Sequence, residues 1–222
     1  MNQKMTKQSH HISRMPFLLA VILILCFSLT ACGGTSGDVA KAAHGDADYL
    51  GTYTETTYRN ERYGILFTTP SKGFEFAMME DILTANDIKE EDFSNTRVPE
   101  ILASGKEYMV MYGGDGTTQN STSVVLSPAN GKEQEQVVHE AADKIKASLE
   151  ADTSITIREC ELKPGSPIGF DQYLVYTISA NDKTFYTEQF FAFHDNNLAS
   201  VTISSTSEGQ IKTMHAAWKR IN

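Results

Sequence analysis

No run of apolar residues in this chain reaches the length of a membrane-spanning helix. The longest, Phe17–Leu29, has 13 residues, against the roughly 20 that a bilayer core demands. Positive charge is scarce as well: 19 Lys and Arg stand against 28 Asp and Glu, for a net charge of −9. A surface of that sign repels phosphate backbones, which argues against nucleic-acid binding. Catalytic signatures are missing too. Gly-x-Ser-x-Gly and Ser-x-x-Lys do not occur beyond residue 31, and Ser71-Lys72 and Ser104-Gly-Lys106 do not qualify. His44, His139, His194 and His215 never fall at His-x-x-x-His or His-Glu-x-x-His spacing, so no zinc site is legible. Gly113-Gly-Asp-Gly116 lacks the Lys-Ser/Thr and following helix of a phosphate loop and reads as a hairpin connection. Asp87, Glu90, Glu91 and Asp92 do not match a calcium-loop spacing and read as a solvated face. No motif calls for a cofactor or metal.

The N-terminal stretch is where the chain is most specific. Lys4, Lys7 and Arg14 precede the apolar run, and small residues follow it, the layout of an export signal. Read on these features alone, the segment fits an ordinary secretory peptide, since Ala31 suits a cleavage site. A buried core helix is disfavoured by the cationic leader and by Gly33-Gly-Thr-Ser-Gly37. Leu29-Thr-Ala-Cys32 resembles the lipobox of bacterial lipoproteins. The resemblance implies cleavage between Ala31 and Cys32 and transfer of diacylglycerol to the Cys32 sulfur. Two acyl chains at about 0.8 kcal/mol per methylene give on the order of 20 kcal/mol of attraction to a bilayer. The expected location is therefore the extracytoplasmic face of the cell membrane.

With residues 1–31 removed, the chain keeps 16 of its 19 basic residues and all 28 acidic ones, a net charge near −12. Such a domain is pushed from anionic headgroups, so lipid must hold it at the membrane. Of three cysteines, Cys26 is discarded, Cys32 is the acylation site, and Cys160 alone stays in the folded part. A disulfide scaffold is thereby excluded. Cys160 reads as a small strand residue rather than a catalytic thiol.

Residues 32–50 are rich in Gly, Ala, Ser and Asp and read as a flexible tether with a reach of roughly 20–25 Å. A single domain is expected over 51–222. Thr52–Tyr58 and Tyr63–Thr69 read as strands of a hairpin, and Phe74–Phe76 as a short strand. Short helices are expected at Met79–Asn86 and, with Pro99 at its start, at Arg97–Leu102. Glu107–Tyr112 and Ser121–Leu126 form another hairpin. A long amphipathic helix follows, capped by Asn130 with Glu133 and carrying Val138, Ala142, Ile145 and Leu149 on one face. Strands at Ile155–Leu162, Tyr173–Ser179, Thr184–Phe193 and Leu198–Ser205 make an antiparallel meander with polar turns. A final helix capped by Ser205 and Glu208 carries Ile211, Met214, Trp218 and Ile221. The fold class is α+β: an antiparallel sheet of about seven strands with helices packed on it.

The run Asn60-Glu-Arg-Tyr63-Gly64-Ile-Leu-Phe67-Thr-Thr-Pro70, followed by Gly73-Phe74, resembles the opening hairpin of PsbP-like domains. Phe74 stands where that pattern has tryptophan. The resemblance implies a PsbP-like fold and a binding or accessory role, with no catalytic motif to carry over.

Aromatics supply the candidate binding surface. Tyr173, Tyr176, Tyr186 and Phe191 crowd the late strands, and alternation forces part of the set away from any one core. Either helices cover both faces of the sheet, or one row lines a groove for an envelope protein, glycan or lipid. The expected role is a membrane-anchored binding or accessory module. A small extracytoplasmic hydrolase is the alternative, and a solute-binding subunit a third, disfavoured because about 170 residues is short for two lobes around a hinge.

Overall fold

The structure, a computed structural model, describes residues 48–115 and 119–221. Ala31, Cys32 and the expected tether as far as Ala47 lie outside the described residues, as does Gly116. No helix among the described residues is long and apolar enough to cross a membrane.

Among the described residues eleven strands make two sheets. β1 (Thr52–Tyr53), β2 (Thr57–Asn60) and β3 (Ile65–Thr68) join a C-terminal strand, β11 (Trp218–Arg220), in the order β1-β2-β3-β11. The larger sheet contains β4 (Glu75–Phe76), β5 (Tyr108–Asp115), β6 (Asn120–Pro128), β7 (Thr156–Pro164), β8 (Gln172–Ala180), β9 (Lys183–His194) and β10 (Asn197–Ser205). Its order is β4-β5-β6-β10-β9-β8-β7, and every pairing is antiparallel. The class is α+β, with the expected seven-stranded antiparallel sheet. The opening hairpin, however, belongs to a second, smaller sheet.

The late meander follows from its turns. Asn181-Asp182 and Asp195-Asn196 hold positive φ at both positions, 48° and 62°, then 43° and 64°. Such two-residue turns twist in the same sense as the strands they join, and Asn and Asp tolerate the left-handed region. They set Ala180 opposite Lys183 and His194 opposite Asn197.

Both faces of the large sheet carry packed elements. One packs against the small sheet and against α4 (Glu208–Ala217), through Val124, Leu126, Phe190, Val201 and Ile203. Trp218, 3% exposed, sits in this core beside Phe67 and donates Nε1–H to Thr122 Oγ1 at 3.2 Å. The other face carries α3 (Gln134–Ala151), whose Val138, Ala142, Ile145 and Leu149 pack on Leu174, Tyr176, Ile178 and Phe191. Nearer β5, α1 (Met79–Asn86) buries Ile82 against Met109 and Tyr112. A 3-10 turn (Glu90–Asp92) and α2 (Val98–Ala103, with Pro99 in its first turn) complete the helices.

Four local expectations change. Thr52–Tyr58 is not one strand: Thr54 Oγ1 accepts from the Thr57 amide at 3.0 Å and bends the chain between β1 and β2. Asn130 does not cap α3. It adopts φ 54° beside Gly131 in the preceding turn, and Glu133 is the N-cap residue. The last helix begins after Ser207 and ends at Ala217, so Trp218 and Ile221 are extended; Ile221 N–H donates to the Gly64 carbonyl at 2.9 Å. Tyr49 and Leu50, expected in the tether, are buried at 8% and 3% exposure.

The opening motif is explained by the buried Asn60. Its amide NH2 donates to the Tyr49 carbonyl at 3.0 Å and the Tyr58 hydroxyl at 3.1 Å, while Oδ1 accepts from the Tyr63 amide at 3.2 Å. Gly64, at φ 63°, would put a Cβ 2.7 Å from the Ile221 carbonyl oxygen, so only glycine fits where β11 closes the sheet. Asn60→Ala strands three buried partners and should cost about 2–4 kcal/mol. Urea denaturation followed by the fluorescence of Trp218, the only tryptophan, checks this; a loss below about 0.5 kcal/mol would refute the role given to Asn60.

Candidate functional site

The four aromatic candidates do not share a face. Pairing sets Tyr173 opposite Phe190, Thr177 opposite Tyr186, and Tyr176 opposite Thr187. Tyr173 and Tyr186 therefore lie half-buried against the core beneath the small sheet. Tyr176 and Phe191 lie under α3 at 0% and 3% exposure. Strand parity separates the pairs, so the quartet forms no single groove; Tyr176 lines a cleft that the other three do not.

That cavity is a cleft of about 120 Å³ between α1 and α3. Neither helix covers the middle of the sheet there, and β6, β10 and β9 form the floor. Two cross-strand rows of polar side chains run along it. One row is Tyr112, Ser123, Thr202 and Gln189, from β5, β6, β10 and β9. The next is Ser121, Ser204, Thr187 and Tyr176. Neighbours in a row are about 4.8 Å apart, and the rows are separated by two residues of strand, about 6.8 Å. Ser123, Thr187 and Ser200 are buried, at 7%, 2% and 7% exposure. Within the floor Thr187 Oγ1 and Ser204 Oγ lie 3.0 Å apart and share a hydrogen bond.

The walls are fixed by side-chain hydrogen bonds and packing. Asn86, last residue of α1, donates to the Ile82 and Met109 carbonyls at 3.0 and 2.8 Å and accepts from the Met109 amide at 2.6 Å. This continues the β5 ladder into a side chain and pins the helix end. Ala141 and Ile145 of α3 face it across the cleft. The only charged groups in the lining are Glu107 and Lys144, whose carboxylate and ammonium meet at 2.6 Å on the rim. The cleft thus presents hydroxyls, the amides of Asn86 and Gln189, the rings of Tyr108, Tyr112 and Tyr176, and apolar walls from Ala85, Met109, Val125, Ala141 and Ile145, with no unbalanced charge.

The histidines stay apart. His139 is exposed on α3. His194 lies 3.1 Å from Asp195, which also receives Arg62 at 3.2 Å. His215 meets Glu188 at 2.7 Å on the small-sheet side. Among the described residues no group of three or more His, Cys, Asp and Glu could hold a metal. Cys160, on β7, packs with Leu162 and Ile157, and burial pushes its thiol pKa up.

The polar rows were missed by reading aromatics. A signal was present: Ser200-x-Thr202-x-Ser204 in β10 alternates with Val201 and Ile203, and Ser121-x-Ser123 in β6 with Thr122 and Val124. In β10 a hydroxyl-bearing period of two beside an apolar one marks a strand with two different faces.

Hydroxyls on an uncovered strip of core-side sheet add little to stability. Ser123→Ala combined with Thr202→Val should leave stability within about 0.5 kcal/mol of the parent or raise it by up to about 1 kcal/mol. Leu126→Ala, on the opposite face, should cost about 2–5 kcal/mol. Denaturation midpoints compare the two, and equal losses would contradict the assignment of the faces. For Cys160, a raised pKa leaves less thiolate at pH 8 than an exposed cysteine has. Its alkylation by iodoacetamide, followed by peptide mass, should lag a free thiol and still climb above pH 9; matching a free thiol at pH 7 would contradict this.

No protein-family model matches the chain, and no curated protein matches it. Among solved structures it is similar to the solution structure of cyanobacterial PsbP (CyanoP) from Synechocystis sp. PCC 6803. The TM-score is 0.42 at 10% identity, over 84% of this chain and 98% of that one.

Proposed function

We propose that the chain is a lipoprotein whose Cys32 carries diacylglycerol on the extracytoplasmic face of the cell membrane, and whose folded domain is a binding or accessory module of the envelope. The anchor rests on the cationic leader, the 13-residue apolar run and Leu29-Thr-Ala-Cys32. The observation that carries the binding role is the cleft between α1 and α3. It has a floor of paired hydroxyl rows, and its one carboxylate is engaged by Lys144. A floor of this kind is suited to holding a ligand by many modest hydrogen bonds. General acid–base chemistry instead needs a titratable group aimed at the reacting atoms.

Cell fractionation of the parent and of Cys32→Ser tests the anchor. The parent should sediment with membranes, and its N-terminal peptide should carry the mass of a glyceride-modified cysteine. The serine variant should lose the lipid and accumulate uncut or leave the membrane fraction. A variant cleaved between residues 31 and 32 and still sedimenting like the parent would sink the proposal.

A further inference from the structure

We infer that the cleft between α1 and α3 takes an uncharged, hydroxyl-rich ligand, a single saccharide unit, either free or at the end of a glycan. The inference rests on reading the domain as a binding module and names its ligand class. Four observations converge on it.

The first is donor and acceptor capacity. Each Ser, Thr and Tyr hydroxyl both donates and accepts, and Gln189 offers both through its amide. A partner must therefore carry closely set groups that also do both, which describes a sugar ring. The second is the sheet itself. The backbone groups of β6, β10 and β9 are spent in ladders with their neighbours, so an extended peptide finds no open edge and meets only side chains. The third is charge. Glu107 and Lys144 satisfy each other at 2.6 Å, so a phosphate or carboxylate ligand gains no counter-ion and loses its hydration. An acyl chain could pack on Ala85, Met109, Ala141 and Ile145 in the walls but would lay hydrocarbon on the floor hydroxyls and give them no partner.

The fourth is size and shape. A volume of about 120 Å³ holds on the order of ten water-sized atoms, about one monosaccharide. Tyr112 and Tyr176 stand at opposite ends of the two rows. Their phenol rings border the floor with apolar surface suited to the C–H faces of a sugar ring.

Saturation-transfer NMR on the full chain in detergent provides the test, with glucose and N-acetylglucosamine as free-sugar probes and chitotriose as the glycan-end probe. Glucosamine 6-phosphate serves as the charged control. At least one neutral sugar should bind saturably in the millimolar range or tighter. Ser123→Ala with Thr202→Val should weaken it tenfold or more, with Trp218 fluorescence unchanged. Tighter binding of chitotriose than of N-acetylglucosamine points to a glycan end, and equal binding to a free sugar. Absence of binding by all three neutral probes at 20 mM overturns the inference, as does preferential binding of the phosphate. Both results leave the Cys32 fractionation outcome untouched, so the ligand assignment and the lipoprotein reading fail separately.

Discussion

The domain depends on the register of β10. This strand runs between β6 and β9 and pairs with both along its length. Ala199, Val201 and Ile203 point to one face and are fully buried, while Ser200, Thr202 and Ser204 point to the other. A strand has a side-chain period of two, so a slip of one residue would exchange these sets. It would drive hydroxyls into the apolar core and bring valine and isoleucine to the cleft. Core and cleft are two consequences of one alignment.

What covers each face follows from that division. On the apolar side a small sheet, closed by β11, and α4 lie across the central strands. Trp218 links the layers through Phe67 and the Thr122 hydroxyl. On the other side α3 packs over β8 and β9, where Tyr176, Ile178 and Phe191 supply apolar surface, and α1 packs over Met109 and Tyr112. Between them the floor offers serine and threonine, which give a helix little to bury. The gap persists where hydrophobic attraction has nothing to act on. The cleft is a by-product of composition on three strands, held open by the Asn86 hydrogen bonds and lined by groups that add little to folding.

Much of the architecture was legible in the residues. The meander could be read because Asn181-Asp182 and Asp195-Asn196 are chemically suited to tight hairpins. The helix at 79–86 was read from Ile82 and its neighbours, and the long helix from Val138 through Leu149, for the same kind of local reason. The failures share a cause. Trp218 and Ile221 continue the helical spacing of Ile211 and Met214, yet the chain turns extended after Ala217. The open edge of β3, with Gly64 leaving room for Ile221, offers backbone hydrogen bonds that outweigh another helical turn. Asn130 looks like a cap until Asn196, from the turn between β9 and β10, accepts the Gly131 amide at 2.6 Å and shapes that turn.

The same boundary separates the two halves of the functional picture. The proposed export and lipidation signal is of the first kind: a leader, an apolar run and a cysteine at position 32 would act by local chemistry, so the proposal needs only their order along the chain. Strand periodicity and turn chemistry are local too, and they specify an antiparallel α+β domain. A cleft is not local. Ser123, Thr202 and Gln189 lie as far as 79 positions apart in the chain and become one row only through strand pairing. Tyr173 and Tyr176, three residues apart, end on opposite faces. Which side chains meet was decided by tertiary register, because a strand's own sequence does not name its partner.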